Sequence, residues 1–316
     1  MCGAVDIGGT KIAVGIVDEG GRVTSRLTSP TEAERGYPHA LERIESMLRL
    51  MAEREGVEIT GIGIGCTGPV DPFTGEIGDV DFLPGWQGTN PVRDLSALFN
   101  VPAAMENDAD AAALAEAHWG AGKGKQRLIY VTVGTGIGGG IVLGGKLYRG
   151  VDRSHPEIGH HVIDPSGPRC FCGAHGCWEV LARGPALVEW VNHQAPPGYP
   201  HRENLSAERI CSLARQGDEL ACRAVEREAY YMGLGLANLI TLFAPDAIVL
   251  GGRVMESAPL FWDGIRKIIR SSCGLVPHQK TDLAVASLGP DTPLIGAAQV
   301  WRYHFERDRT GGDDAI

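Results

Sequence analysis

One short segment of the chain, residues 155–179, concentrates side chains that bind metals or transfer protons. Its sequence, HPEIGHHVIDPSGPRCFCGAHGCWE, contains His160, Cys170, Cys172 and Cys177. Three thiolates and one imidazole match the tetrahedral ligand set of a zinc ion. A disulfide would leave one of the three cysteines unpaired, and three free thiols are the remaining alternative. Because four protein ligands leave no position for water, zinc bound here would be structural rather than catalytic.

Two glycine-rich turns follow predicted strands and have the composition of phosphate-binding loops. The first, DIGGTK, joins two apolar stretches, and its glycines allow backbone amides to approach an anion closely. A plain hairpin is the alternative for a Gly-Gly pair. The second, VGTGIGGG at residues 133–140, contains the spacing GxGxxG but continues as the strand pattern IVLGGKLY. A dinucleotide-binding fold would require a helix there, and a P-loop would require Ser or Thr in place of Leu147, so both alternatives are rejected.

An acidic motif, ENDAD at residues 106–110, follows a predicted strand and opens an alanine-rich helix. Asn107 or Asp108 could simply cap this helix. A carboxylate at such a junction can instead accept the proton of an attacking hydroxyl group. The residues alone leave both functions open.

Strands and helices alternate along the chain, which indicates an α/β architecture. Strands are predicted near residues 3–7, 12–18, 60–65, 101–105 and 128–133, and helices near 38–54, from residue 108, near 179–193 and over 219–243. The strand–glycine–strand opening and the later strand–glycine–strand unit resemble two versions of one plan. The last residues, TGGDDAI, are predicted to be disordered.

Composition excludes several classes of function. The 316 residues are 43% hydrophobic and 22% charged, which is ordinary for a globular protein. A net charge of −10 argues against nucleic acid or an anionic membrane as the main partner. No apolar run approaches the ~20 residues of a membrane helix. The start of the chain has no basic region or apolar signal core, so a cytoplasmic location is expected.

Taken together and in this order, the motifs resemble those of the ROK family of sugar kinases, with the bacterial ATP-dependent glucokinases as the best match. The resemblance covers residues 3 to about 303 and rests on DIGGTK, ENDA, GTGIGG, EIGH and CxCGxxGCxE. It implies the actin/hexokinase-like (ribonuclease H-like) ATPase fold, with two domains around a cleft. The small α/β domain would comprise residues 1–109 plus 293–316. The large α/β domain would comprise residues 110–292 and include the zinc-binding segment.

The resemblance also implies roles for individual residues. Asp108 would be the general base that faces the reacting sugar hydroxyl. The other sugar-binding residues would be Gly68, Asn107, Glu157, His160 and Glu179. Asp6 would act through the magnesium shell of ATP. The remaining ATP contacts would come from Gly8, Gly9, Thr10, Lys11, Gly134, Thr135, Gly136, Gly138, Gly251 and Gly252. Structural Zn²⁺ would be held by His160, Cys170, Cys172 and Cys177.

The expected function is ATP-dependent phosphorylation of a hexose, with glucose converted to glucose 6-phosphate. The alternative substrates are fructose, mannose, N-acetylglucosamine and N-acetylmannosamine. Three departures from the family pattern leave the preferred hexose open. His155-Pro156 precedes Glu157, as in the fructokinase branch of the family. Asp110 replaces a common Asn, and Arg253 follows Gly252 where a small residue is frequent. A sugar-sensing repressor is disfavoured because the first strand starts too early for a preceding DNA-binding motif. A zinc hydrolase is disfavoured because four protein ligands leave no site on the metal for a catalytic water. The family resemblance also implies that the protein forms a homo-oligomer, either a dimer or a tetramer.

Overall fold

A computed structural model of the chain describes residues 1–306, so the predicted disordered tail lies outside the described residues. Its strands, numbered in chain order, are β1 (Cys2–Ile7), β2 (Lys11–Val17), β3 (Val23–Pro30), β4 (Gly61–Cys66), β5 (Val70–Asp71), β6 (Glu76–Ile77), β7 (Ala103–Asn107), β8 (Arg127–Val133), β9 (Ile137–Leu143), β10 (Lys146–Leu147), β11 (Ala247–Gly251) and β12 (Asp282–Val285). Its α-helices are α1 (Tyr37–Glu55), α2 (Pro91–Phe99), α3 (Asp108–His118), α4 (Trp178–Ala182), α5 (Gly184–Gln194), α6 (Ala207–Arg215), α7 (Glu219–Phe243), α8 (Trp262–Ser272) and α9 (Thr292–Phe305).

The chain divides into two compact units, one built from three chain segments and the other from two. Unit 1 comprises Met1–Gly124, Gly145–His155 and the chain from Ser287 onward, and unit 2 comprises Lys125–Gly144 and Pro156–Ala286. The chain therefore re-enters unit 1 twice and unit 2 once. The domain boundaries expected from the family resemblance stay a prediction.

Unit 1 is built on a five-stranded sheet with the order β3-β2-β1-β4-β7. Strands β1 and β2 are antiparallel, whereas β4 is parallel to both β1 and β7. Helix α1 buries Ala40, Ile44, Leu48 and Met51, whose spacing of about one helical turn places them on one side. On α9, the carbonyl oxygen of Ala297 would lie only 1.7 Å from a Cβ at Gly63 of β4. The glycine therefore allows the last helix to pack directly on the sheet.

Unit 2 repeats this plan. Strands β8 and β9 are antiparallel, and β8, β11 and β12 form a parallel set in that order. The core beneath the sheet contains the apolar side of α7 together with Trp178, Phe261 and Ile265, which are fully buried. In both units the first hairpin turn is glycine-rich and lies at one end of the central strands. The sequence pattern had indicated this duplication.

The structure differs from the expected elements at two places. The expected helix near 179–193 consists of α4 and α5, because Arg183 between them has an extended backbone with ψ of 158°. Helix α2 is the second difference, because no helix was predicted there; Asn90 caps it by accepting a hydrogen bond from the Arg93 amide. Within residues 1–306, the apolar stretches of the helices are too short for any of them to cross a membrane.

Candidate active site

The β7–α3 junction places Asn107 and Asp108 side by side at the start of α3. Asn107 is the cap of α3, and its side-chain oxygen accepts a hydrogen bond of 2.9 Å from the Ala109 amide. Asp108 occupies the first helical position and is exposed. The Asp108 Oδ1 atom accepts a hydrogen bond of 2.8 Å from the same Ala109 amide, so the carboxylate lies at the start of the helix and at the end of a buried strand. This is a suitable position for a group that contacts a substrate.

Asp6 at the end of β1 lies close to the same junction. Its Oδ1 atom and the Cα atom of Asp108 both lie 3.8 Å from the position that a Cβ on Gly65 would occupy. Burial, and to a smaller extent the negative charge of Asp108, raise the pKa of Asp6 to about 7, although the positive charge of Lys11 lowers it. Two carboxylates that disfavour each other's ionisation form a site that a divalent cation would stabilise.

The turn between β1 and β2 contains the first predicted phosphate-binding residues. The Gly8 amide donates a hydrogen bond of 3.0 Å to the carbonyl oxygen of Lys11, which closes the turn. The Thr31 hydroxyl donates to the Gly8 carbonyl at 2.6 Å, so the base of the turn is fixed from behind. Thr10 and Lys11 are exposed, while Gly8 and Gly9 are partly buried.

Gly68 belongs to the same unit and lies beside Asn107, whose Nδ2 would be 3.0 Å from a Cβ at that glycine.

The predicted zinc ligands of unit 2 come together in space. The ligand atoms of His160, Cys170, Cys172 and Cys177 all lie within 4.8 Å of one another. The Sγ atoms of Cys172 and Cys177 are 3.5 Å apart, and His160 Nδ1 is 3.5 Å from Cys170 Sγ. Ligands around a tetrahedral zinc ion with bonds of about 2.0–2.3 Å are separated by roughly 3.5–3.8 Å. Two of the ligand pairs therefore have a separation typical of zinc ligands, and the other ligand atoms are close enough to be candidates for the same ion.

The thiols of this cluster are electrostatically unequal. Burial raises the pKa of Cys177 to about 12, whereas the backbone amide of Ala174 lowers the pKa of the exposed Cys172. All eight cysteines of the chain are free thiols. A cation in the cluster would supply the positive charge that stabilises a buried thiolate.

Glu179 connects this cluster to the second glycine-rich turn. Its Oε1 atom is 4.0 Å from His160 Nε2, and its Oε2 atom accepts a hydrogen bond of 2.9 Å from the Ile137 amide. The space beside Gly136 is also occupied by Glu179, because a Cβ there would lie 2.5 Å from Oε2. His160 therefore directs one ring nitrogen toward the cysteines and the other toward Glu179. The carboxylate of Glu179 in turn fixes the turn at residues 134–138.

The remaining predicted residues of unit 2 lie at strand ends. Gly251, the last residue of β11, is in register with Thr132 of β8, so the 251–252 turn is adjacent to the strand that leads into Gly134. The amide of Gly184 at the start of α5 donates a hydrogen bond of 2.8 Å to the carbonyl oxygen of Gly134. Thr135 and Glu157 are exposed, and Gly138 is partly buried.

Two features of these sites were not found from the sequence. The first is the hydrogen bond between Glu179 and the Ile137 amide, which joins residues far apart in the chain. The second is a group of charged side chains around Glu106 and Asp110, which involves Arg149 and His155. No local sequence pattern predicts either one, because both depend on how distant segments meet.

Comparisons with known proteins place these sites in a family context. The profile described as the ROK family matches residues 2–304. The glucokinase of Streptomyces coelicolor is 37% identical over 315 residues, which cover 94% of this chain and 96% of that protein. The xylose repressor of Bacillus subtilis is 32% identical, but the match covers 78% of this chain and 62% of the repressor.

Solved structures give the same result for the fold. The ROK hexokinase of Thermus thermophilus is 35% identical, with a TM-score of 0.80 and coverage of 98% of this chain and 99% of that one. The ROK family glucokinase of Streptomyces griseus, solved in complex with glucose and AMPPNP, is 34% identical with a TM-score of 0.80, and the match covers 95% of this chain and 99% of that one. The chain therefore has the actin-like ATPase fold of these enzymes.

Proposed function

Since the chain belongs to the ROK family, we propose that it is an ATP-dependent hexose kinase that converts glucose to glucose 6-phosphate. The observation that carries the proposal is the exposed carboxylate of Asp108 at the first position of α3, next to Asp6 and the DIGGTK turn. Its support comes from the relatives named as glucokinases, which match nearly the whole chain. The glucose and AMPPNP in the Streptomyces griseus structure support the choice of substrates.

In this proposal Asp108 orients the reacting hydroxyl group and accepts its proton. Phosphoryl transfer has a loose transition state, so catalysis depends mainly on positioning and on neutralising the charge of the phosphates. A carboxylate is a weak base toward an alcohol, so Asp108 takes the proton late, as the new P–O bond forms. Gly68, Asn107, Glu157, His160 and Glu179 are the proposed contacts to the other sugar atoms.

The two glycine-rich turns are the proposed binding sites for the phosphates of ATP. Backbone amides of Gly8 to Lys11 and of Gly134 to Gly138 would donate to phosphate oxygens, with Thr10, Lys11 and Thr135 as side-chain donors. Gly251 and Gly252 would contact the adenosine. Asp6 would hold magnesium through its water shell, and the bound ion would neutralise charge on the phosphates.

We assign the cluster of His160 and three cysteines to structural zinc. The separations of 3.5 Å between ligand atoms support this assignment. The metal would fold a segment that has few apolar residues of its own and thereby fix the position of Glu179, two residues after Cys177. The His160 imidazole would then present its second nitrogen toward Glu179 and the sugar.

Turnover with a panel of sugars tests the proposed function. ATP consumption should be fastest with glucose when compared with fructose, mannose, N-acetylglucosamine and N-acetylmannosamine. Faster turnover of another sugar would change the substrate, and no turnover with any of the five would reject the kinase function. The last result would favour a sugar-sensing protein, since repressors are among the relatives.

A substitution at the proposed base tests the mechanism. Asp108→Asn should reduce kcat by about 10²–10⁴-fold, because proton transfer and alignment are lost while the shape is retained. Sugar affinity should change little. The matched control is Asp263→Asn, an exposed aspartate in the first turn of α8 that should leave kcat unchanged. Wild-type turnover in Asp108→Asn would remove Asp108 from this role.

A cytoplasmic location and a dimeric or tetrameric assembly complete the proposal. The cytoplasm supplies ATP, and its reducing conditions suit the five cysteines that lie outside the proposed zinc cluster and form no disulfide. Light scattering of the purified protein would give the assembly state. A monomeric mass at all concentrations would exclude the oligomer.

A further inference from the structure

Five titratable side chains of unit 1, none of them assigned to the sugar or to ATP, form a buried ion cluster: Glu106, Asp110, Arg149, His155 and His304. Arg149 Nη1 donates to Asp110 Oδ2 at 2.5 Å, and Nη2 donates to Glu106 Oε2. His155 Nδ1 lies 2.7 Å from Asp110 Oδ2, and His304 Nε2 lies 2.9 Å from Glu106 Oε1. Glu106 and Asp110 are 2% and 0% exposed.

A buried cluster of this kind is a poor source of stability. Removing charges from water costs several kcal/mol for each ion, and apolar residues of the same size are often as stable or more so. The Arg149 guanidinium is nevertheless ionised, since burial lowers its pKa but the neighbouring Asp110 and Glu106 raise it by more. Such groups fix a geometry more effectively than they stabilise a fold. The position of the cluster indicates which geometry is fixed.

Two carboxylates of the cluster flank the proposed base along the chain. Glu106 precedes Asp108 by two residues on β7, and Asp110 follows it by two residues on α3. The guanidinium of Arg149 binds both carboxylates, so it joins the end of the strand to the first turn of the helix. A planar guanidinium with two donors restricts direction as well as distance, which a single point charge cannot do.

The other side of the cluster belongs to the returning segment Gly145–His155. Arg149 in the middle of this segment and His155 at its end anchor it to the β7–α3 junction. His155 is also two residues before Glu157 in the sequence, a proposed sugar contact. His155 and Asp110, two of the positions at which the sequence departs from the family pattern, therefore contact each other.

We propose that Arg149, Asp110 and His155 are positioning residues that hold the β7–α3 junction so that Asp108 is aligned with the reacting hydroxyl group. This inference rests on the proposed kinase function. Arg149 touches no substrate in this scheme and acts only through Glu106 and Asp110. Misplacement of a catalytic group by about 1 Å can reduce the rate by about a hundredfold. Loss of the cluster should therefore affect kcat more than either KM.

The test compares Arg149→Met with Arg149→Lys. Arg149→Met should reduce kcat about 10–100-fold, with KM for glucose and for ATP changed by less than about threefold. It should also increase the share of ATP that is hydrolysed by water instead of transferred to sugar, because the hydroxyl group is no longer aligned. Arg149→Lys retains the positive charge but not the two parallel N–H donors of the guanidinium, and it should recover part of kcat. The control is Arg26→Met, which breaks the exposed Arg26–Asp291 ion pair of the same unit.

Counting active sites separates positioning from folding. If Arg149 were only structural, the variant would contain fewer active molecules, but each would have wild-type kcat and a wild-type ratio of transfer to hydrolysis. That result would overturn the proposal. Asp110→Asn and His155→Gln, alone and combined, provide a second measurement that does not depend on Arg149. Their effects on kcat should be less than additive, and full additivity would count against the pair. Wild-type protein without turnover on any sugar would reject the kinase function and this inference together.

Discussion

The hydrogen bond from the Ile137 amide to Glu179 predicts an effect of a sugar-site residue on nucleotide affinity. Glu179→Ala removes an ionised acceptor from a buried amide in the turn that we assign to the ATP phosphates. A hydrogen bond to a charged group contributes about 1.5–3 kcal/mol. At about 1.4 kcal/mol per tenfold change, the loss corresponds to roughly 10–100-fold if it is expressed fully in binding. We therefore expect AMPPNP to bind at least tenfold more weakly, even without sugar.

Two further variants make this prediction specific. In Glu179→Gln the amide oxygen can still accept from Ile137, and a neutral bond contributes about 0.5–1.5 kcal/mol, so the loss should be intermediate. Glu157→Ala is the control, because Glu157 is an exposed residue of the same unit and a proposed sugar contact. It should weaken sugar binding and leave AMPPNP affinity unchanged.

Isothermal titration of AMPPNP into sugar-free protein is the assay, with circular dichroism to verify folding. The reasoning is refuted if folded Glu179→Ala binds AMPPNP within twofold of wild type. It is also refuted if Glu157→Ala weakens AMPPNP binding as much as Glu179→Ala does. Either result would mean that the carboxylate does not hold the turn in its binding geometry.

Three other predictions concern protons and the metal. Because the pKa of Asp6 is about 7 and its ionised form suits magnesium, kcat/KM for ATP should fall about tenfold per pH unit below ~7, and an Asp6→Asn variant should lack this dependence in a pH–rate profile. Burial raises the pKa of Glu228 well above its ordinary value, and neither carboxylate oxygen has a hydrogen-bond partner within residues 1–306. The folded state therefore retains a proton that the unfolded chain releases, so the free energy of unfolding should fall as pH rises above about 4.3. Urea unfolding at pH 5 and pH 8 would measure this loss, which should be smaller in Glu228→Gln. Zinc can be removed with a chelator, and the protein then verified to be zinc-free and folded. Calorimetry should show that this weakens glucose binding by a larger factor than AMPPNP binding. An unchanged glucose affinity would show that the cluster does not support the sugar site.

Much of the secondary structure followed from local patterns. The apolar spacing over residues 219–243 predicted α7 with its observed ends, and the alternation of glycine turns with apolar strands predicted the duplicated plan. The division into α4 and α5 was missed although the sequence contains a local signal for it. Gly184-Pro185 follows Arg183, and a proline in this position is typical of the first turn of a new helix.

The sequence by itself determined the kinds of chemistry available to this protein. Four ligands close together along the chain, at His160 and three cysteines, already indicate zinc, and the motif at Asp108 already indicates a base at a strand end. Only the tertiary structure decided that Asn107 caps α3 while Asp108 remains exposed. It also brought Glu179 to Ile137, and Arg149 to Glu106, across about 40 residues of chain. Ligand spacing is a local property that a few residues can encode. Contacts between distant segments depend on how the strands and helices pack, and no short motif specifies them.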